Sequence, residues 1–354
     1  DIASKQDEIT LLVFPDAVNL PGKDLYAVQQ KALKQAGDLM DRFCILDVKI
    51  AENKNQHNTV VTEFRNNIGN SNLKYGAAYT PHLKITIIQT FSYRQWKDVL
   101  WKIDVKINLS QLTTDPIVLQ KLTALEVAIA SNDGTEKQRE NELLTLFPAM
   151  KTIADKLRQA TLVLPPSAAV AGVYCSVDRS RGVWKAPANV SVNSIIGVAY
   201  TIDNTEQESL NVDANAGKSV NAIRPFTGKG VLIWGARTLA GNDNEWRYIS
   251  VRRFFNMVEE SVKKATQPFV FEPNDANTWT RIRSMIENYL TLKWRDGALM
   301  GTKPDQAFFV KIGLGQTMTA QDILEGRMIV EVGMAAVRPA EFIILKFSMK
   351  MITN

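Results

Sequence analysis

The chain has 354 residues, 45% of them hydrophobic, which is enough for two domains or for one domain carrying a large insertion. It has 42 Lys and Arg against 37 Asp and Glu, and this net charge of +5 is not gathered into long basic runs, so nucleic acid is not an indicated partner. No stretch approaches the roughly 20 apolar residues needed to cross a bilayer, so we expect no direct membrane insertion and a soluble, cytoplasmic protein.

The first elements predict a β-α-β unit. An apolar run over 9–14 is followed by apolar residues at helical spacing from Leu25 to Leu39, and then by a second apolar strand over 43–48. Strand, helix and strand in this order favour two parallel strands with the helix covering one face. Because the chain starts at Asp1 without methionine and reaches a strand almost at once, we expect that an N-terminal segment is missing.

The middle of the chain has a different composition. Lys-rich amphipathic stretches such as SYRQWKDVLWKIDVKINL alternate there with helical patterns and a polar break. We interpret 84–160 as an inserted, mainly helical subdomain. Trp96 and Trp101 could form an exposed contact patch, although their helical spacing favours ordinary packing.

Shorter elements follow. Glycine, proline and β-favouring runs such as AVAGVY dominate 165–221 and predict alternating loops and strands. A strand, GVLIWGART, then precedes a helix with Val251 and Val258 on one face. A second helix is predicted over 278–295, and it ends before Gly297, a natural left-handed stop.

The last part of the chain combines strands with one short capped helix. Between strands AFFVKIG and RMIVEVGM, the segment from Thr319 to Asp322 has the form of a capping box. The chain closes on PAEFIILKFSMKM, an amphipathic strand. Its apolar face consists of Ile343, Leu345, Phe347, Met349 and Met351. A terminal strand of this kind has an unpaired edge that favours pairing with another chain, although it could also fold back into its own sheet.

The search for an active site finds no catalytic, cofactor-binding or metal-binding residues to name. The two histidines, His57 and His82, lack neighbours at the short spacings of metal sites, and the polar stretch around His57 is typical of a solvated loop. The tripeptide from Gly217 to Ser219 resembles the end of a phosphate-binding loop, but Val212 stands where that motif needs glycine. We therefore expect no cofactor and no enzyme activity.

One long segment resembles a known family. Residues 165–190, PPSAAVAGVYCSVDRSRGVWKAPANV, closely resemble the signature of phage tail sheath proteins, especially the sheaths of phage tail-like extracellular contractile injection systems. Downstream, NAIRPFTGKGVLIWGARTL, WRYISVRRFFNMVEESV and GRMIVEVGMAAVRPAEFIILKF match the family in order, and the opening LLVFPDA is similar too. The resemblance covers nearly all of the chain except 84–160.

The resemblance implies a fold and a function. The fold is α/β (α+β), with two lobes of mixed sheets flanked by helices in addition to the insertion. Residues 1–83 and 161–222 would form the sheath domain, and 223–354 a C-terminal assembly domain whose last strand is donated to a neighbouring subunit. The implied function is structural: rings of six subunits stack as a helical polymer around an inner tube, and contraction drives the tube through a target envelope.

The resemblance also implies assembly residues and partners. The terminal strand, 343–351, would be the intersubunit arm, with Arg338 and Pro339 as its hinge because Pro339 keeps the residue before it extended. The contact between sheath and inner tube must break during contraction, so we expect it to be made by charged residues on the short helix. That helix could equally be a simple connector. The residues predicted for this contact are Asp322, Glu325 and Arg327. Implied partners are the chain itself, an inner tube protein, and baseplate and terminator proteins, in a particle that can be released from the cell.

Two other functions stay open. A baseplate or cap component could share the C-terminal domain of a sheath protein. An α/β enzyme could use the first β-α-β unit as a small-molecule site, but FPDAVNLPGKD stands where a dinucleotide fingerprint would have to lie. Long hollow polymers would distinguish a sheath protein from both.

Overall fold

The computed structural model describes residues 2–85, 90–159, 162–213 and 215–341. The chain divides into two compact units, the first formed by Asp1–Leu83 with Val163–Asn354 and the second by Lys84–Leu162. Helices and strands both contribute, and the main sheet contains parallel and antiparallel pairs, so the predicted α/β class is confirmed.

The elements are numbered along the described residues. The strands are β1 (Leu11–Val13), β2 (Phe43–Asp47), β3 (Gly76–Thr80), β4 (Leu83–Ile85), β5 (Trp101–Lys102), β6 (Val105–Lys106), β7 (Leu162–Leu164), β8 (Val190–Ser191), β9 (Ile195–Val198), β10 (Val220–Phe226), β11 (Gly230–Trp234), β12 (Phe308–Lys311) and β13 (Glu331–Met334). The helices are α1 (Asp24–Leu39), α2 (His57–Asn67), α3 (Tyr93–Trp96), α4 (Pro116–Ser131), α5 (Glu136–Leu146), α6 (Pro148–Gln159), α7 (Ser167–Arg181), α8 (Asn204–Asn211), α9 (Ile249–Thr266), α10 (Ala276–Arg295), α11 (Pro304–Ala307) and α12 (Ala320–Leu324).

The main sheet of the first unit has the strand order β1-β2-β3-β10-β11-β8. Strands β1 and β2 are parallel, with Leu11 opposite Phe43, so the β-α-β unit predicted at the start of the chain is confirmed. Every residue of β2 and β3 is buried, as expected for central strands with both faces covered. Strands β10 and β11 are antiparallel, and Ile223 pairs with Ile233.

Helices cover both faces of this sheet. Leu33 of α1 and Phe64 of α2 share one apolar core with Ala78 of β3. The next residue of the strand, Tyr79, meets Tyr174 of α7, with their hydroxyl oxygens 2.8 Å apart. Because successive strand residues point to opposite faces, α7 covers the face opposite α1 and α2.

Helix α7 corrects the sequence prediction, which placed loops and strands over this part of the signature. Its buried residues Val170, Val173, Tyr174 and Val177 follow the helical spacing i, i+3, i+4 and i+7. The intervening Ala, Gly and Ser residues dilute this pattern, and the valines favour a strand when they are considered locally. Burial of one helical face against the sheet overrides that local preference.

The start of α7 is held by a buried carboxylate at the end of β2. Asp47 accepts hydrogen bonds from the backbone N–H of Ser167, at 2.8 Å, and from its hydroxyl, at 2.5 Å. Burial raises the pKa of Asp47 to about 6, and the bonds from Ser167 act against that rise. The negative charge of Asp47 therefore lies at the N-terminus of α7, where backbone N–H groups lack helical partners and the helix dipole stabilises an anion.

The C-terminal part of the first unit packs α9 and α10 around a second apolar core. Phe254 and Val258 of α9 contact this core together with Ile282 and Ile286 of α10. Both predicted helices are confirmed, with α10 starting two residues before the predicted position. Its N-cap residue, Asp275, accepts from the Thr278 N–H at 2.9 Å.

The second unit is a small helical core with an exposed hairpin. Trp96 is buried together with Tyr93 and Leu122, so ordinary packing is right for Trp96. It is wrong for Trp101, which is 65% exposed on the β5–β6 hairpin. The two-residue turn at Ile103 and Asp104, both with positive φ, ends the helical spacing on which that prediction rested.

Candidate assembly site

The β12–β13 pair forms a small two-stranded sheet in the first unit. The strands are antiparallel, with Phe308 opposite Met334 and Lys311 opposite Glu331. Within the described residues each strand has the other as its only sheet partner, so each keeps an edge that another strand could join. Phe309 leaves 44% of its surface exposed on this small sheet.

The chain after β13 is tied down by backbone hydrogen bonds. The Ala335 N–H donates to the Ala307 carbonyl at 2.8 Å, and the Ala335 carbonyl accepts from the Met300 N–H at 2.7 Å. The Val337 N–H then donates to the Ala298 carbonyl at 3.1 Å. The backbone up to Val337 is therefore part of the folded domain. The predicted arm, 343–351, lies outside the described residues.

The predicted hinge residues are both described. Arg338 is exposed, and its Nη1 donates to the Asn244 carbonyl at 2.9 Å. Pro339 is half-buried and lines a cavity of about 790 Å³. The structure contains no second position of this segment, so the hinge stays a prediction.

Two residues beyond Pro339, the carboxylate of Glu341 meets the guanidinium of Arg237. The Arg237 Nε lies 2.9 Å from Oε1 of Glu341, and Nη2 lies 2.6 Å from Oε2. Asn211 Nδ2, at 3.3 Å, and the Tyr248 hydroxyl, at 3.4 Å, add weaker contacts to the same carboxylate. The Arg237 side chain is 5% exposed and that of Glu341 is 17% exposed, so this ion pair is largely shielded from water.

The cavity beside this ion pair is partly polar. It lies among α8, the end of β11 and residues 339–341. The side-chain Oδ1 of Asn211 and Nε of Arg224, both at this cavity, are buried without a hydrogen-bond partner in the described structure. These groups were missed from the sequence because neither Asn211 nor Arg224 stands in a pattern that indicates a binding site.

The three residues predicted to contact the tube lie together. Arg327 Nη2 is 2.8 Å from Asp322 Oδ1 and 2.7 Å from Glu325 Oε2, all near α12. The predicted capping box is confirmed, with Asp322 accepting from the Thr319 N–H at 2.8 Å. Hydrogen bonds from Thr319, together with Arg327, hold the pKa of Asp322 at about 2, so its negative charge persists over a wide pH range. Their contact with a tube stays a prediction.

The histidines have structural surroundings, and the prediction of a solvated loop for His57 is wrong. His57 starts α2 and is buried, with Nε2 3.2 Å from the Thr80 hydroxyl, and burial lowers its pKa. His82 is also buried, with Nε2 3.0 Å from the Val48 carbonyl oxygen. No group of three potential metal ligands occurs in the part of the chain that the structure describes. In that same part, no helix is both long and apolar enough to span a bilayer.

Comparison with known proteins places this geometry in a family. The family model described as the phage tail sheath protein central domain matches residues 12–239, and the phage tail sheath C-terminal domain matches 241–350. Curated relatives are tail sheath proteins of Vibrio phage KVP40, 27% identical over 137 residues, and of Enterobacteria phage T4, 26% identical over 136 residues. These matches cover 39% and 38% of this chain, and only 20% of each relative.

Solved structures match over the whole chain. The contracted helical sheath of the anti-feeding prophage (AFP) is 34% identical, with a TM-score of 0.65 over 99% of this chain and 72% of that one. The contracted sheath complex of PVC, an extracellular contractile injection system, is 32% identical, with a TM-score of 0.68 over 99% of this chain and 73% of that one. Because the central-domain model alone matches well over half of the sequence, this chain belongs to the phage tail sheath family, as its sequence predicted.

Proposed function

We propose that this protein is the structural subunit of a contractile sheath. Copies polymerise as rings of six, stacked in a helix around an inner tube, and contraction of the polymer drives the tube through a target envelope. The observation that carries this proposal is the match over 99% of the chain to sheaths solved as contracted assemblies. The baseplate and terminator proteins are the further partners, and the particle is a phage tail or an injection system that can be released from the cell.

The proposed sheath would contract without a nucleotide-binding site, and this is physically reasonable. A sheath needs no nucleotide if its extended form is kinetically trapped and its contracted form is the more stable one. The one sequence that resembles a phosphate loop supports this reading, because Lys218 is buried and its ammonium donates to the Arg65 carbonyl at 2.6 Å. That lysine is therefore committed to the fold, and we propose a protein without enzyme activity.

Subunits would be linked by strand donation. The arm, 343–351, would add to an open edge of the β12–β13 sheet in a neighbouring copy, where backbone hydrogen bonds give affinity and alternate apolar side chains give register. A head-to-tail contact of this kind, repeated without closing, builds a helical polymer. In this scheme residues 1–83 with 161–222 form the sheath domain, 223–354 the assembly domain, and 84–160 the insertion.

Electron microscopy of the purified protein tests the proposed function. We expect long hollow polymers, with sixfold rings, that form alone or on added tube protein. A related chain, 33% identical, occurs in the sixfold-symmetrised baseplate of the anti-feeding prophage, so a baseplate component is the second candidate. Single rings or discs that never elongate, even with tube protein, would favour that candidate and contradict the sheath.

The charged cluster on α12 carries a separate prediction about the tube. Replacing Glu325→Lys and Arg327→Glu exchanges the charges of one existing pair and removes the contact of Arg327 with Asp322. Arg327 is 57% exposed, and ion pairs at such exposure contribute roughly 0–1 kcal/mol, so we expect the fold to be kept. If these charges face the tube, we expect tube binding measured by co-sedimentation to fall at least about tenfold, because like charges then meet at the interface. Asp322 is left unchanged because it caps the helix.

The matched control exchanges an exposed pair in the second unit, Lys121→Glu with Glu142→Lys, whose charged atoms are 2.9 Å apart. We expect this variant to bind tubes as the parent does. Unchanged binding by the α12 variant would instead make α12 a connector and remove the tube contact from the proposal.

A further inference from the structure

We infer that Arg237 is a positioning residue for the C-terminal arm: it clamps Glu341 and so fixes the point from which the arm leaves the domain. This inference rests on the proposed strand donation and adds a specific device to it. On this account the chain stays on the domain as far as Glu341, so Arg338 and Pro339 would not act as the hinge that the sequence predicts.

The contact has the geometry of a strong clamp. Two guanidinium nitrogens of Arg237 meet two carboxylate oxygens of Glu341, an arrangement that fixes direction as well as distance. The remaining donor, Nη1, is satisfied by the carbonyls of Asn211 at 3.2 Å and Gly241 at 3.3 Å. Every polar group of the pair therefore has a partner, which is the condition under which a buried ion pair holds firmly.

The fixed side of the clamp is built on the main sheet. Asn221 of β10 accepts from the Arg237 N–H at 2.9 Å and donates to the Arg237 carbonyl at 2.8 Å. The same amide reaches the Ala78 carbonyl of β3 at 3.2 Å. A side chain at Gly235 would collide with Asn221, because a Cβ there would lie 2.6 Å from its Oδ1. Arg237 thus projects from a backbone that two strands hold in place.

The other side of the clamp is short. Among the described residues, Val337 makes the last backbone-to-backbone hydrogen bond, and Arg338 adds a single side-chain bond at the exposed surface. Without Arg237, the chain after Val337 would have four more residues of freedom before the arm starts. That freedom lowers the effective concentration of the arm at its acceptor and must be lost again on docking. The clamp removes this cost before assembly begins.

A spin label measures the clamp directly. Ala340 is exposed, so Ala340→Cys can be labelled in a Cys175→Ser background, since the other cysteine, Cys44, is buried. We expect an immobilised spectrum in the parent and a mobile one in Glu341→Gln. Because Glu341→Gln leaves Arg237 buried without a counter-charge, a second variant, Arg237→Met with Glu341→Ala, opens the clamp without that defect.

Polymerisation is the second readout. We expect both clamp variants to need at least about tenfold more protein to form polymers, with folding confirmed by circular dichroism. Glu272→Gln is the matched control, because Glu272 forms an exposed pair with Arg281 at 3.3 Å, and it should change neither readout. A label that stays immobile in the clamp variants, or polymerisation at the parent concentration despite a mobile label, overturns the inference.

The arm itself is tested apart from the clamp. A chain that ends at Glu341 keeps the clamp and lacks the arm. If that chain polymerises normally, the proposed strand donation falls, whatever the label shows. If it fails to polymerise while the clamp variants assemble as the parent does, strand donation stands and the clamp alone is wrong.

Discussion

A chain that ends at Glu341 is expected to stay folded and monomeric and to form no sheath polymer. The removed segment contains five alternating apolar residues, each worth about 1.5–3 kcal/mol when buried, together with a ladder of backbone hydrogen bonds. Since about 1.4 kcal/mol is tenfold in an equilibrium constant, losing even part of this contact takes assembly beyond accessible concentrations. Sedimentation velocity and electron microscopy measure the loss.

Folding of the shortened chain should be nearly unchanged, because α1 and α2, and likewise α9 and α10, pack in apolar cores built from described residues before Glu341. A calorimetric Tm close to that of the full chain checks this. The register of the arm can be tested with two matched variants. Leu345→Asp with Phe347→Asp should abolish polymers, whereas Lys346→Asp with Ser348→Asp should weaken them much less. Tubes of normal length from the shortened chain would contradict strand donation.

The sequence was sufficient to predict those elements whose local hydrophobic pattern agrees with their packing in the fold. The β1-α1-β2 unit was predictable because Leu25, Ala32 and Ala36 recur at helical spacing between two apolar strands, and all three are buried. The ends of α10 were nearly predictable because Asp275 caps it and Gly297, with φ of 82°, stops it. In these elements the local preference and the tertiary packing agree.

Local patterns failed where packing decides. Helix α7 looked like strand and loop because its Ala, Gly and Val residues have weak or opposing preferences, and only the sheet beneath it selects the helix. His57 looked solvated because its sequence neighbours are polar, yet Thr80 and Tyr200, far away in sequence, surround its ring. Neither signal is present within a short window of sequence.

The candidate site also contains one part that the sequence could predict and one part that it could not. The α12 cluster was predictable because Thr319, Asp322 and Arg327 are near neighbours in sequence and one capping motif brings them together. The clamp could not be predicted, because Arg237 and Glu341 are 104 residues apart and lie in two separate segments whose patterns give no sign that these residues pair. A single sequence gives no reason to pair one of 42 basic residues with one of 37 acidic ones.

The signature helix α7 is also the position of the largest predicted loss of stability. Asp178, near its end, accepts two hydrogen bonds from Arg253 of α9, at 2.9 and 2.6 Å, and the guanidinium lies 4.9 Å from the Tyr174 ring. Arg253 is 9% exposed. Asp178→Ala leaves this charge buried and unpaired, so we expect the free energy of unfolding to fall by about 3–5 kcal/mol. Denaturant unfolding measures the change.

Two comparisons separate the lost pair from lost packing. Replacing both partners, Asp178→Leu with Arg253→Met, removes the buried charge altogether, and we expect it to recover most of the stability, since apolar pairs of similar volume can replace a buried ion pair. Glu272→Ala removes one partner of the exposed pair with Arg281 and should cost roughly 0–1 kcal/mol. A loss of that small size for Asp178→Ala would mean that water reaches Arg253 and that the pair does not bind α7 to α9.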